Sequence, residues 1–170
     1  MKLNLGCGRD IRSGYINVDS VKLPGVDKVF DLNKKRWPFK ENTFDEINCK
    51  DIIEHLDDPL KAMSEIWRIS KPEAIIRIHV PFFPGMYAVG DLTHKHFFNY
   101  NSFDCFSPGD SHNYYTDARF KIIKRKIIFS WNGLLNIIAL PINMFPMLYQ
   151  RYGAFVLPSN AIDFKLIAKK

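Results

Sequence analysis

The segment Leu3-Asn4-Leu5-Gly6-Cys7-Gly8 is a short apolar run that breaks on two glycines, and Ile16-Asn17-Val18-Asp19 is a second run that closes on a carboxylate. Together they read as a buried strand, a tight turn and a second buried strand, the opening of an α/β sheet. Open sheets of this kind bind ligands beyond the carboxyl ends of their strands, so the turn at Gly6, Cys7 and Gly8 lies where a ligand would. Neither glycine carries a Cβ; both accept positive φ and let a ligand approach the backbone. Asp19 stands at the end of the next strand, where an acid can accept both hydroxyls of a ribose. These residues support a nucleoside-type ligand.

What is missing narrows the ligand further. A dinucleotide site needs G-x-G-x-x-G opening a helix whose N-terminus faces a pyrophosphate, with the acid roughly 20 residues further on. Here Ile11 occupies the place of the third glycine, and Arg9 to Gly14 is too short for a full crossover helix. A ligand with adenosine and an amino acid but no phosphate, such as S-adenosylmethionine, requires no helix dipole at that point.

Further motifs follow in order. Val26 to Leu32 reads as a third short strand ending on Asp31-Leu32; Trp37-Pro38-Phe39 and Asn42-Thr43-Phe44-Asp45 lead into a fourth strand, Phe44 to Cys49; and Lys50-Asp51-Ile52-Ile53-Glu54-His55-Leu56 comes after it. The chain resembles the class I S-adenosylmethionine-dependent methyltransferases of the small-molecule, type 11-like kind, specifically over residues 1 to 80 and loosely beyond. The resemblance implies a doubly wound, mostly parallel seven-stranded Rossmann-like sheet whose last two strands are adjacent and whose seventh is antiparallel. It implies S-adenosylmethionine as cofactor, held by Gly6, Cys7, Gly8 and Asp19, with Asp31 and Leu32 against the adenine and Lys50 and Asp51 near the methionine or adenosine part. Family members carry a helix before the first strand and another between the first two. This chain opens on the strand and shortens the second link, so weak cofactor affinity, or help from a partner subunit, is expected.

With 170 residues, 46% of them hydrophobic and 25% charged, the chain reads as one domain, 1–170, with ordinary globular composition. The chain opens directly on a strand rather than on a basic-then-apolar leader. Cys7, Cys49 and Cys105 lack metal-ligand spacing. Both features point to reduced thiols and a cytoplasmic location. The formal charge is +6, with one cluster at Lys121, Lys124, Arg125 and Lys126. It reads as a solvated strand face, with contact to an anionic membrane as the alternative. No aromatic-basic pattern accompanies it, which argues against nucleic acid.

Asp58-Pro59 opens a helix with an apolar stripe at Leu60, Met63, Ile66, Trp67 and Ile69, stopped by Lys71-Pro72. Glu73 to Val80 reads as the fifth strand. Residues 81–116 then form an aromatic-rich insert, expected to lie over the cleft as a lid or acceptor wall, the alternative being a self-packed aromatic subcore. Ala118 to Phe129 reads as strand six, Gly133 to Arg151 as a broken helical stretch and Ala161 to Ala168 as strand seven. Ile127 to Tyr149 holds no charged residue, but Asn132, Asn136, Pro141, Asn143 and Pro146 argue against a membrane span. Packing over the acceptor cleft is the primary reading. A membrane-touching face or a homo-oligomer surface is the alternative.

Methyl transfer to an oxygen needs alignment, exclusion of water and removal of one proton. Asp91-Leu92-Thr93-His94-Lys95-His96 concentrates ionisable groups in the insert, with His94 or His96 as base and Asp91 orienting it, since imidazole titrates near neutral pH. A metal held by Asp91, His94, His96 and His112 matches no standard spacing, and no metal is expected. Glu54 is read as binding backbone donors, His55 as packing near the cofactor and His79 as a core residue. The acceptor is expected to be a small molecule or sugar, as in glycan synthesis, methylated at oxygen. The alternatives are a lipid-linked or membrane-proximal substrate and a non-catalytic binding subunit.

Overall fold

The computed structural model describes residues 1–129, 137 and 139–170. Its strands are β1 (Lys2–Leu5), β2 (Ile16–Asp19), β3 (Lys28–Val29), β4 (Phe44–Lys50), β5 (Ser70–Pro81), β6 (Arg119–Ile128) and β7 (Ala161–Lys169). They form one seven-stranded sheet in the order β3-β2-β1-β4-β5-β7-β6. Neighbours from β3 to β5 are parallel, while β7 runs antiparallel to both β5 and β6. This is the mostly parallel, Rossmann-like architecture the motifs imply.

The helix α1 (Pro59–Ile69) starts as its cap predicts: the Asp58 side chain accepts from the Lys61 amide and Pro59 occupies the first turn. It buries Ala62, Met63, Ile66 and Ile69. The helix ends at Ile69, just before the Lys71-Pro72 stop, where the Ser70 hydroxyl and amide both bond back to the Ile66 carbonyl. The chain passes directly into β5, whose irregular start holds Glu73 at φ 62°. The third strand is also shorter than expected. It keeps only Lys28 and Val29, both exposed, on the sheet's outer edge.

Register sorts the two faces. On one, Leu3, Ile47, Ile76 and Leu166 lie side by side, as do Leu5, Cys49, Ile78 and Phe164. All are buried in the main core with the α1 stripe. On the other face the row runs Asn17, Asn4, Asn48, Arg77, Lys165 and Lys124, followed by Lys50, His79, Asp163 and Lys126. The three asparagines are buried, bonded to one another and to the 9–15 link: Asn4 Nδ2 donates to the Asp10 carbonyl and Asn17 Oδ1 accepts from the Arg12 amide. Polar side chains on an inner strand face are tolerated here because each donor finds a partner. Beyond them, Arg77, Lys124 and Lys126 are exposed around a hollow of about 450 Å³.

The insert divides its labour. Phe98, Phe103 and Phe106 pack against the sheet, with Phe103 edge-on to Phe164 at 4.8 Å and Phe106 edge-on to Phe120 at 5.9 Å. Arg125, facing the same side, pairs with Asp104 and lies over Tyr100. That half is the aromatic subcore. The other half, including α2 (Met86–Val89), turns toward the carboxyl edge of the sheet. The expected helical stretch from Gly133 lies partly outside the described residues. Within them α3 (Ala139–Met144) is tied to β6 by Asn143, which bonds both the amide and the carbonyl of Ile127.

Candidate active site

The β1–β2 turn is built on two left-handed glycines, Gly6 at φ 59° and Gly8 at φ 48°. They differ in what lies above them. A methyl group on Gly6 would meet Ile52 Cδ1 at 2.6 Å, so the protein itself fills that space; around Gly8 nothing lies within 4 Å. Gly6 is thus required by packing, and Gly8 offers the open backbone. Asp19 Oδ2 accepts from the Gly8 amide at 2.7 Å and Oδ1 from the Val21 amide at 3.0 Å. Each oxygen keeps a second lone pair, so the carboxylate is oriented beside the turn and still able to accept hydroxyls. Cys7 is buried, its amide donating to the Val18 carbonyl.

The remaining cofactor candidates separate. Asp31 is exposed and accepts from the Asn33 amide, while Leu32 is buried with its carbonyl bonded to Trp37 Nε1. Lys50 points to the polar face of the sheet, into the hollow shared with Arg77 and Lys126. Asp51, held at φ 50° with its amide on the His79 carbonyl, leaves the strand and lines a different hollow.

There a cleft of about 770 Å³ opens at the carboxyl ends of β4 and β5. Its acids and imidazoles are Asp51, Glu54, His55, His79, Asp91 and His94. Ile52, which covers Gly6, leads directly into the helical turn Ile53–His55, so glycine turn and cleft share one edge of adjacent strands. Within the cleft Asp91 Oδ2 lies 3.9 Å from His94 Nε2. His96 does not line the cleft; its amide bonds to the Glu54 carbonyl. His79 is not a plain core residue: it bridges Asp163, at 2.6 Å from Nδ1, and Asp51, at 3.6 Å from Nε2.

Glu54 departs most from expectation. It is 1% exposed, yet neither carboxylate oxygen has a hydrogen-bond partner among the described residues. Burial, with the Asp51 charge adding to it, pushes its carboxyl up to about 7. Burial and the neighbouring His94 lower the His55 imidazole.

Residues 7–78 match a family model described as a methyltransferase domain. The strand order, with its antiparallel β7 inserted between β5 and β6, is the arrangement that family implies. The chain has the fold of the class I methyltransferases. A S-adenosylmethionine-dependent methyltransferase from Archaeoglobus fulgidus is similar in structure, with TM-score 0.64 and 19% identity over 99% of this chain and 85% of that one. So is phosphoethanolamine N-methyltransferase 2 of Haemonchus contortus, solved with S-adenosyl-L-methionine: TM-score 0.61 and 15% identity over 99% of this chain and 48% of that one. An uncharacterized methyltransferase of Schizosaccharomyces pombe is 46% identical over 37 residues, which is 22% of this chain and 13% of that protein.

The residues present fit S-adenosylmethionine, the cofactor of the methyltransferases this fold resembles, at one turn. The open edge at Gly8 and the anchored Asp19 carboxylate leave backbone and acceptor atoms for a nucleoside. What sequence reasoning missed is Glu54 as an unpartnered acid and the contribution of Asn160 and Ala161 at the start of β7 to the cleft wall. The Glu54-His55 pair was visible in the sequence, but which way its carboxylate faces depends on the packed turn.

Proposed function

We propose that this domain binds S-adenosylmethionine over the Gly8 turn and transfers its methyl group to an oxygen of a small molecule or sugar held in the 770 Å³ cleft. The observation that carries the reading is the shared edge: an open glycine with an oriented carboxylate on one side of Ile52, and a cleft lined by histidines and acids on the other. When bound, the sulfonium cofactor supplies an activated methyl group. Asp19 would accept the ribose hydroxyls and Gly8 would leave room for the adenosine backbone, with Asp31 and Asp51 nearest along the same edge. His94 would take the acceptor's proton at Nε2, with Asp91 steadying the resulting charge.

Two measurements test this. Calorimetry with S-adenosylhomocysteine should give one saturable site, and a methyl-transfer screen against nucleotide sugars and glycans should yield a labelled product. Absence of both reduces the chain to a non-catalytic methyltransferase-like subunit.

A membrane-proximal acceptor is the second reading, favoured by one feature. Leu140, Met144, Phe145, Leu148, Tyr152 and Phe155 are all exposed in a segment anchored to β6, the strand that carries Lys124 and Lys126. Exposed apolar side chains and lysines together suit an anionic interface. Among the described residues no helix is long and apolar enough to cross a membrane.

A further inference from the structure

We infer that Glu54, His55 and His94 form a binding site for one divalent transition-metal ion in the acceptor cleft. Their ligand atoms all lie within 4.8 Å of one another, and all three residues line the cleft. The inference rests on this donor set and holds whether or not the domain transfers methyl groups.

The buried acid is the first argument. A carboxylate with no hydrogen-bond partner is costly to bury, and is ordinarily neutralised, paired or bound to a cation. Glu54 has no such partner among the described residues, and two imidazole nitrogens are its nearest candidate co-ligands.

Hydrogen bonding of the two imidazoles is the second, independent argument. His94 Nδ1 lies 3.0 Å from the Ala88 carbonyl, which only accepts, so Nδ1 carries the proton. His55 Nδ1 lies 2.9 Å from Thr93 Oγ1, and that hydroxyl donates its own proton to Asp91 Oδ1 at 2.7 Å. His55 Nδ1 must then be the donor as well. Both rings therefore present the Nε2 lone pair, the form a metal requires, and each is oriented from behind by a carbonyl or a hydroxyl–carboxylate relay. Asp91 acts through Thr93 as a positioning residue for His55.

Two imidazoles and one carboxylate suit zinc, cobalt, manganese or iron in the divalent state rather than calcium or magnesium. Bonds of about 2.0–2.2 Å would draw the donors to roughly 3.3 Å apart in a tetrahedral site, a contraction that side-chain rotation can supply. Three protein ligands leave the remaining positions open for water or an acceptor oxygen. With an ion bound, His94 Nε2 would be a ligand and no longer a base; the ion would instead lower the pKa of an acceptor hydroxyl bound to it, whose proton would leave to solvent.

The test uses the full chain, stripped with chelator, dialysed and titrated with Co²⁺ while calorimetry and visible absorption are followed. One ion per chain is expected, with d–d bands of a low-symmetry nitrogen–oxygen site. Glu54→Gln and His55→Gln should each weaken binding at least about tenfold, whereas His112→Ala should bind as the parent does. Glu54→Gln keeps the side-chain volume, and an unchanged melting curve shows that it folds. No saturable binding by the parent, undiminished binding by Glu54→Gln, or equal loss in His112→Ala would each overturn the assignment. S-adenosylhomocysteine binding is measured separately, so failure there with cobalt retained removes the cofactor reading and leaves the metal site.

Discussion

Asp19 accepts a hydrogen bond from the Gly8 amide at 2.7 Å, so the end of β2 holds the turn after β1 in place. Asp19→Ala should weaken S-adenosylhomocysteine binding by about 1–3 kcal/mol, the cost of leaving polar ligand atoms unpaired. Calorimetry on parent and variant decides it; an unchanged dissociation constant would take Asp19 out of the site.

Gly6 and Gly8 should respond differently to alanine. At Gly6 the new methyl group collides with Ile52 in a left-handed backbone, and the loss of stability should be about 2–4 kcal/mol. At Gly8 only the backbone term remains, about 1–2 kcal/mol, while cofactor affinity should fall because the open edge is narrowed. Urea unfolding gives both numbers. Equal destabilisation of the two variants would contradict the assignment of Ile52 as the filler above Gly6.

Glu65 ties the Trp37-Pro38-Phe39 segment to α1. Its carboxylate accepts from Arg68 Nε at 2.6 Å, from Arg68 Nη2 at 2.7 Å and from the Trp37 amide at 2.8 Å. Burial opposes its ionisation, but these donors outweigh it and the pKa is lowered. A lowered folded-state pKa contributes stability above the unfolded value, lost as pH falls through the folded one. Glu65→Gln should therefore cost about 1–3 kcal/mol at pH 7, and the gap to the parent should close on acidification below the ordinary glutamate range. Melting temperatures of both proteins across that range check it. A gap independent of pH would mean that packing, not charge, makes the contribution.

Lys124 and Lys126 on β6, with the exposed apolar segment anchored to the same strand, give the membrane-proximal reading a direct test. Co-sedimentation with vesicles rich in anionic lipid at low salt should be strong for the parent. It should fall steeply for Lys124→Glu with Lys126→Glu, and should weaken with added salt as charges are screened beyond about 10 Å at 0.1 M. No sedimentation of the parent sinks that reading, and a dimer in its place would mark the apolar segment as an interface between copies.

Much of the fold was legible from local pattern. The β1–β2 turn, the Asp58-Pro59 helix start and the positions of β4, β6 and β7 follow from apolar periodicity and from glycine and proline placement, all short-range signals. The start of β5 was not, because Ser70 both caps α1 and opens the strand, leaving no loop before Glu73. The length of the third strand was not either. An edge strand survives only where its neighbour reaches, and pairing with β2 stops at Asp19.

By its own order of residues the chain settled the strand sequence, the two glycines and the acid beside them, because those depend on backbone conformation and on which side chains avoid water. Only the tertiary structure decided that Ile52 closes the space over Gly6, that Lys50 and Asp51 line different hollows, and that Glu54 lies buried and unpartnered against two histidines. Those outcomes depend on residues far apart in the chain meeting at one sheet edge, where register and packing, not local preference, determine which atoms touch.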